Sequence, residues 1–348
     1  MLNKLNLRKN WKSLLTWLTI LALVLVLYST RNQIAVTLGN LTKVNAYALL
    51  LLIPIELLNY HAQTKLYQKL FEIVGNKFSY KKLYKISLEL NFVNHIFPSA
   101  GVTGISYFGL RLRNGKSLSG GKATLIQVIK LGLILISFEV LIIIGIIFLA
   151  FAGNVNDVSI LVASTLSTLL LVLTALFAYI VGSKSRINNF FVNLSKLINW
   201  LIKKIRKSDV ETINIDKAKN VFDDFHGGYM TISHDIKKLK SPFMYALLAN
   251  LTEVLALYAV YIAFDSFINP GAIILAYAVA NFAGLISVLP GGIGVYEALM
   301  TVVLVAVGVP AKISLPVTIM YRVLNTVLQI PPGYIFYQIS VNKSSSKT

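Results

Sequence analysis

The chain of 348 residues contains no cysteine, and only 14% of its residues are charged. Without cysteine it can form neither a disulfide nor a thiolate-based metal or redox site. A soluble protein of this length needs a larger share of charged and polar residues to cover its surface. Instead, 56% of the residues are hydrophobic, and the mean hydropathy is +0.69. The composition therefore predicts an integral membrane protein without a soluble catalytic domain.

Apolar runs long enough to cross a bilayer recur along the chain. A hydrocarbon core about 30 Å thick takes about 20 helical residues. Full spans are expected near residues 12–30, 44–60, 123–151, 158–181, 241–264 and 313–339. Two further apolar regions, 86–110 and 272–309, are each interrupted by a cluster of proline and glycine. The sequence thus predicts an all-α integral membrane protein with about six full spanning helices and two broken hairpins.

The distribution of basic residues predicts the topology. The formal net charge is +19, and most Lys and Arg residues lie near the two termini and in segments 61–85, 111–122 and 182–240. Positive charge marks cytoplasmic segments, so both termini are expected in the cytoplasm, and the protein is expected to be a multi-pass protein of the cytoplasmic (inner) cell membrane. The first apolar run is interpreted as a retained helix, because no good signal-peptide cleavage site follows it. The excess positive charge is assigned to the membrane surface and not to nucleic acid.

The flanking charges constrain the topology of the two broken regions differently. Region 86–110 lies between two basic segments and is too short for two crossings, so it is expected to be a re-entrant hairpin broken at 98–104. Region 272–309 is broken at 290–294. Each of its arms is expected to be long enough to span, so two full crossings fit the charges equally well. Non-helical backbone at this depth is tolerated only where it is buried in protein or lines a wet cavity.

The two halves of the chain, 12–151 and 158–339, show the same order of elements in opposite orientation. Inverted repeats with broken helices are the design of many secondary transporters. The prediction is a single polytopic domain over 1–340, with a basic amphipathic cytoplasmic loop at 182–240 and a disordered tail at 341–348. Three pairs of residues occupy corresponding places in the two halves: Asn91 and Asn281, Glu56 and Glu253, and Lys130 and Arg322.

Several ionisable side chains fall inside predicted spans, where each costs at least ~2.5 kcal/mol at the bilayer centre. The functional interpretation is a buried polar cavity that holds a charged substrate group. The alternative is structural pairing, such as Glu297 with Arg322, or snorkelling from a helix end; a polar contact between helices would explain Glu139. Function is favoured for Glu297 and Arg322, beside a helix break, and both interpretations stay open for Glu56 and Lys130. The residues are Glu56, Lys130, Glu139, Glu253, Glu297 and Arg322.

The glycine cluster before Val295 leaves backbone N–H groups where a helix is expected to begin, which favours an anion there. No Lys followed by Ser or Thr comes after these glycines, so the cluster is not a nucleotide-binding P-loop. The alternative is a helix break that permits close packing. The four histidines lack metal-ligand spacing, and no catalytic set of Ser, His and Asp is present. We therefore expect no metal, no cofactor and no enzyme activity.

The second break resembles a family signature, since residues 289–298 read LPGGIGVYEA. This is similar to the Pro-Gly-Gly-x-Gly-x-Phe/Tyr-Glu signature of the lysylphosphatidylglycerol synthase transmembrane region, also called the flippase-like domain family. Residues 91–104 resemble that family's first Asn…Pro…Gly element, except at Ser99 and Ala100, where a more polar or basic pair is common in relatives.

The resemblance covers essentially the whole chain and implies a polytopic domain that moves or handles membrane lipids. In the bifunctional members, a separate soluble domain transfers lysine from charged tRNA to phosphatidylglycerol, and the membrane domain flips the product. This chain ends shortly after Ile339. The transferase domain is therefore expected to be absent, and synthase activity is not carried over.

The combined expectation is a flippase-like protein that moves or handles a phospholipid or lipid-linked polar substrate by alternating access. Lipids with anionic or phosphate-bearing headgroups are the expected partners, with Lys130 and Arg322 neutralising phosphate and Glu297 orienting Arg322 or meeting a cationic headgroup. A partner enzyme or a homo-oligomer is a further expected partner. Two alternatives stay open: a non-transporting accessory subunit for a separately encoded lipid- or glycan-modifying enzyme, and a membrane-embedded lipid-phosphate transferase. The candidate substrate-binding residues are Asn91, Pro98, Gly101, Lys130, Asn281, Pro290, Gly291, Gly292, Gly294, Tyr296, Glu297 and Arg322.

Overall fold

The computed structural model describes the following residues: 28, 31–96, 111–112, 120–153, 156–186, isolated positions between 188 and 232, 234–286 and 294–345. Within these residues the chain is helical and contains no strand. Both Pro/Gly breaks except Gly294, nearly all of the predicted first span and most of the loop at 182–240 lie outside them, so those predictions stay untested.

The main helices are α1 (31–41), α2 (Ala46–Leu49), α3 (Leu52–Ile73), α4 (Tyr80–Ile96), α5 (Gly120–Phe151), α6 (Asp157–Val181), α7 (Lys240–Ala263), α8 (Pro270–Ile286), α9 (Val295–Ala306) and α10 (Ala311–Ser345). Local sequence explains where some of them begin. Asn156 accepts a hydrogen bond from the backbone N–H of Ser159 at 2.8 Å, and its own N–H donates to the Ser159 hydroxyl at 3.0 Å. This reciprocal cap fixes the start of α6.

Among the described residues, four helices are long and apolar enough to cross a membrane: Gly121–Phe151, Asp157–Ile180, Ile236–Ala263 and Ala311–Asn342. They coincide with the predicted spans at 123–151, 158–181, 241–264 and 313–339. The four belong to α5, α6, α7 and α10, which are thus the spanning helices that sequence and structure agree on.

The helix at the predicted span 44–60 is not among these four, and it lies further along the chain than predicted. α3 begins at Leu52 and continues to Ile73, into a stretch that the sequence assigned to a basic cytoplasmic segment. Leu66 and Leu70 in this extension are fully buried in an apolar cluster shared with other helices. Packing on neighbouring helices stabilises a helix beyond what its own residues supply, and a search for apolar runs does not register that contribution.

The arms of the broken hairpins are short. α4 and α8 have 17 residues each, about 25 Å of helix, and α9 has 12, about 18 Å. A full crossing takes about 30 Å. The expectation that each arm of 272–309 is long enough to span is therefore wrong for α9, whose length fits a segment that dips into the membrane.

The helices of the two predicted halves pack against each other. α3 lies along α7, α4 lies along α10, and α8 lies against α5. α9 packs between α8 and α10. The described arm of each broken hairpin therefore rests on the last long helix of the other half. These contacts join the two predicted halves, while the inverted symmetry of the halves stays a prediction.

Two glycines allow these helices to approach closely. A Cβ added to Gly333 of α10 would lie 2.6 Å from the backbone oxygen of Leu88 on α4. A Cβ added to Gly271 of α8 would overlap the backbone oxygen of Gly145 on α5. Small residues bring helix backbones together in membrane proteins, and here they do so where α4 meets α10 and where α5 meets α8.

Candidate functional site

A buried ion pair lies at the start of α9. Arg322 of α10 donates from Nη1 to Oε1 of Glu297 at 3.0 Å, and the guanidinium lies over the ring of Tyr296, 4.7 Å from its centroid. The Glu297 side chain is 6% exposed and the Arg322 side chain 17%. Arg322 is thus the more accessible member of a nearly buried pair.

The Glu297 carboxylate also closes the N-terminus of α9. The N–H of Gly294 donates to Glu297 Oε2 at 2.7 Å, and Gln33 of α1 donates to Oε1 at 3.0 Å. Gly294 has φ of 87°, a conformation that glycine adopts readily. A carboxylate is favourable at this end of the helix dipole. The sequence predicted that an anionic substrate would bind the N–H of Gly294, and in the structure this N–H has the chain's own carboxylate as its acceptor.

A second polar group lies where α3, α7 and α10 meet. Its centre is the half-buried carboxylate of Glu253 on α7. Three side chains donate to this carboxylate: Asn59 at 3.1 Å, Tyr321 at 2.6 Å and Asn325 at 3.3 Å. The negative charge of Glu253 is therefore well supplied with hydrogen-bond donors.

Glu56 lies beside Glu253, with much poorer solvation. It is 7% exposed, it interacts electrostatically with Glu253, and Gln329 forms a hydrogen bond with it. Its Oε1 has no hydrogen-bond partner within the described part of the chain. Two adjacent carboxylates in a low-dielectric interior disfavour each other's ionisation. We call Glu56 and Glu253 the carboxylate pair.

A row of amides extends the carboxylate pair towards α4. Gln329 donates to Asn325 at 3.0 Å, and Asn91 donates to Gln329 at 3.4 Å. The backbone oxygen of Asn91 is hydrogen-bonded to Nδ1 of His95 at 2.9 Å. Asn91, one of the predicted site residues, is thereby linked to Glu253 through two other side chains.

Lys130 lies apart from these two groups, whereas the side chain of Asn281 is a neighbour of Tyr296. Lys130 donates to the hydroxyl of Tyr67 at 2.9 Å. Tyr67 lies roughly three turns along α3 from Glu56, about 16 Å by helical rise. Asn281 donates to the backbone oxygen of Tyr277 on its own helix at 2.9 Å. The structure therefore does not bring Lys130 to Arg322, although the sequence assigned both to the same substrate phosphate.

The predicted residues thus fall into three sets. Gly294, Tyr296, Glu297 and Arg322 meet at the start of α9. Asn281 lies beside Tyr296 of this set, Asn91 joins the network of the carboxylate pair, and Lys130 has a separate partner. Pro98, Gly101, Pro290, Gly291 and Gly292 lie outside the described residues.

A third buried charge was not anticipated. Glu89 of α4 is 1% exposed and accepts hydrogen bonds from Arg111 Nε at 2.7 Å and Arg111 Nη2 at 3.0 Å. The hydroxyl of Ser340 on α10 also donates to Glu89. The bidentate pair is the strong form of this interaction. A single carboxylate between Leu88 and Leu90 was the available signal.

The polar face of α10 was also missed. Tyr321, Asn325 and Gln329 recur at every fourth position, which places them on one face of the helix. All three take part in the network around the carboxylate pair. This spacing inside an apolar span could have indicated a buried polar network. Among the residues that the structure describes, no three His, Asp or Glu side chains meet as in a metal site.

Comparison with known proteins places the chain among membrane proteins. A family described as "Lysylphosphatidylglycerol synthase TM region" matches residues 10–333. A "UPF0104 membrane protein" of Methanothermobacter thermautotrophicus is 32% identical over 109 residues. That alignment covers 31% of this chain and 33% of the relative, so the chain spans about a third of the relative's length.

Proposed function

The chain belongs to the family of the lysylphosphatidylglycerol synthase TM region, and on that premise we propose that it moves a phospholipid or a lipid-linked polar substrate across the membrane. The observation that supports this most is the nearly buried pair of Glu297 and Arg322 at the start of α9. Ionisable residues inside a membrane-spanning bundle usually mark substrate pathways.

Stability alone is a poor reason for such a pair. Replacing a buried ion pair by apolar residues of similar volume is often neutral or stabilising. A guanidinium, by contrast, matches the geometry of a phosphate group. The Arg322 side chain is 17% exposed, which leaves an approach for a headgroup. We therefore assign Arg322 to the phosphate of the substrate.

Exchange of partners at Arg322 gives the binding step. The substrate phosphate takes the place of Glu297 at the guanidinium, while Gly294 and Gln33 continue to hold the carboxylate. Glu297 is then available to a cationic part of the headgroup. Tyr296 stacks on the guanidinium and keeps it in position. Lys130 lies in another part of the bundle, against Tyr67, so we assign it to a different stage of the path.

Movement of the substrate across the membrane then requires the helices around Arg322 to open to each side in turn. We propose that the packing of each hairpin arm on the other half provides the surface along which the two halves rock. The close glycine contacts at Gly333 and Gly271 define two points of that surface.

Lipid movement in proteoliposomes tests the proposal. Purified full-length protein is reconstituted with a trace of phosphatidylglycerol labelled on an acyl chain, and an impermeant quencher reports the exposed fraction over time. Arg322→Gln and Glu297→Gln remove a charge-assisted hydrogen bond worth about 1.5–3 kcal/mol, so a rate lower by about ten- to a hundredfold is expected. Lys69→Gln removes an exposed cation and is expected to keep the wild-type rate.

The outcomes of this assay test the binding site and the transport function separately. Equal rates for the wild type, Arg322→Gln and Glu297→Gln would show that this ion pair does not bind the headgroup. A wild-type protein that moves no labelled lipid, and that co-purifies with an enzyme, would favour the accessory-subunit interpretation instead.

A further inference from the structure

The carboxylate pair has a feature that substrate binding does not explain. Glu253 has three hydrogen-bond donors, whereas Oε1 of the more deeply buried Glu56 has no partner within the described residues. We propose that Glu56 and Glu253 share one exchangeable proton, and that its binding and release drive the movement of the substrate. The second part of this proposal rests on the proposed function, and the first part does not.

The charge balance around Glu56 requires such a proton. Two neighbouring negative charges inside a bundle repel because the surrounding dielectric is low. No Lys or Arg in the described part of the chain forms an ion pair with either carboxylate. Arg322 follows Tyr321 on α10, and its guanidinium is paired with Glu297. One of the two acids must therefore be neutral, and the poorly solvated Glu56 is the one that carries the proton.

The other groups around Glu56 do not supply a positive charge either. Tyr60 lies one turn after Glu56 on α3. Tyr84 on α4 and Glu253 on α7 also interact with Glu56. On α10 the nearest groups are Gln329, which bonds to Glu56, and Tyr321, which bonds to Glu253. On α5, Lys130 is held against Tyr67, further along α3. A proton is what remains to neutralise the pair.

The partners of Glu253 favour a proton over a metal ion. A bound Na⁺ needs oxygen atoms as ligands, often from backbone carbonyls. Asn59, Tyr321 and Asn325 instead present N–H and O–H donors to the carboxylate. Donors of this kind stabilise a carboxylate beside an uncharged acid and would repel a cation.

Two consecutive residues connect the carboxylate pair to the ion pair. Tyr321 donates to Glu253, and Arg322 donates to Glu297. A proton that moves from Glu56 to Glu253 weakens the hydrogen bond from Tyr321, because a neutral acid is a poorer acceptor than a carboxylate. The resulting shift of α10 changes the position of Arg322. Protonation and substrate binding are therefore coupled through one helix.

Infrared spectroscopy tests the proton directly. The carbonyl stretch of a protonated carboxylic acid is recorded on the full-length protein at neutral pH. The wild type is expected to show this band, and Glu56→Gln is expected to lose the component that belongs to Glu56. Glu72→Gln changes an exposed carboxylate and is the matched control. Glu139 also has an unpartnered oxygen among the described residues, so Glu139→Gln identifies its own share of the band.

A second variant, Glu56→Asp, keeps the test decisive if Glu56→Gln does not fold. Glu56→Asp keeps an acid that is one methylene shorter, and the protonated-acid band is expected to move in frequency. A band that is unchanged in either Glu56 variant overturns the proton site.

Transport under imposed gradients tests the coupling. The proteoliposomes of the lipid assay are given a pH gradient or, separately, a Na⁺ gradient of the same size. We expect the pH gradient alone to accelerate lipid movement in the wild type, and Glu56→Gln to lose this response. Acceleration by Na⁺ alone would overturn the proton as coupling ion. A Glu56-dependent band in a protein that moves no lipid would support the proton site and reject the proposed function.

Discussion

Gln33 and Glu297 are joined by a hydrogen bond of 3.0 Å although 264 positions separate them in the sequence. This bond ties α1 to the first turn of α9. The same carboxylate accepts from Gly294 and from Arg322. One side chain therefore connects three described helices: α1, α9 after the second break, and α10.

The first prediction concerns this bond. Gln33→Leu removes one donor from a buried carboxylate, and a hydrogen bond to a charged group contributes about 1.5–3 kcal/mol. We expect a lower thermal unfolding midpoint in detergent and slower lipid movement. Gln33→Glu is expected to be worse, because it places a second negative charge against Glu297. Asn32→Leu changes the exposed neighbour and is the control. An unchanged midpoint in Gln33→Leu would contradict the prediction.

The second prediction concerns the buried pair of Glu89 and Arg111. Glu89→Ala leaves the guanidinium without this partner in a largely buried place, and breaking such a pair costs about 3–5 kcal/mol. We expect a strongly lowered unfolding midpoint and poor yield. The exposed pair of Lys69 and Glu72 provides the contrast: Glu72→Ala is expected to cost less than about 1 kcal/mol. Equal midpoints for the two variants would show that the Glu89 pair adds little.

The spans and the buried contacts were not equally predictable from the sequence. Hydropathy locates α5, α6, α7 and α10 because membrane crossing depends on the apolarity of each helix alone. It predicted a span at 44–60 but not the continuation of α3 to Ile73, where Leu66 and Leu70 are buried by other helices. Such contacts depend on which helices meet, and a local pattern does not contain that information.

In the candidate site, too, some features were predictable from local sequence and others depend on the fold. The signature around Gly294 and Glu297 is contiguous, so the sequence could indicate the ion pair with Arg322 in advance. The hydrogen bonds of Glu253 come from α3 and α10, and only the folded arrangement brings Asn59 and Tyr321 to it. The corresponding positions of Glu56 and Glu253 in the two predicted halves were visible in the sequence, but their electrostatic interaction was not.

The third prediction concerns helix packing. Gly333→Ala places a methyl group against Leu88, and Gly271→Ala places one against Gly145. Overpacking of a close contact costs about 1–3 kcal/mol, so both variants are expected to lower the unfolding midpoint. Gly39→Ala is the control, since nothing lies within 4 Å of its added Cβ. A midpoint for Gly333→Ala as high as that of Gly39→Ala would show that α4 and α10 adjust freely.

The last prediction concerns topology, and the absence of cysteine makes it simple to test. Ile236 and Phe267 flank opposite ends of the spanning helix α7 and are 69% and 77% exposed. The basic segment before α7 predicts a cytoplasmic Ile236 and an external Phe267. An impermeant thiol reagent added to intact cells should therefore label Phe267→Cys at once and Ile236→Cys only after the membrane is opened. The cysteine-free parent reports background labelling. The reverse labelling pattern would show that the predicted topology is inverted, because the orientation of α7 fixes that of α8 to α10. Arg322 would then approach its substrate from the other side of the membrane.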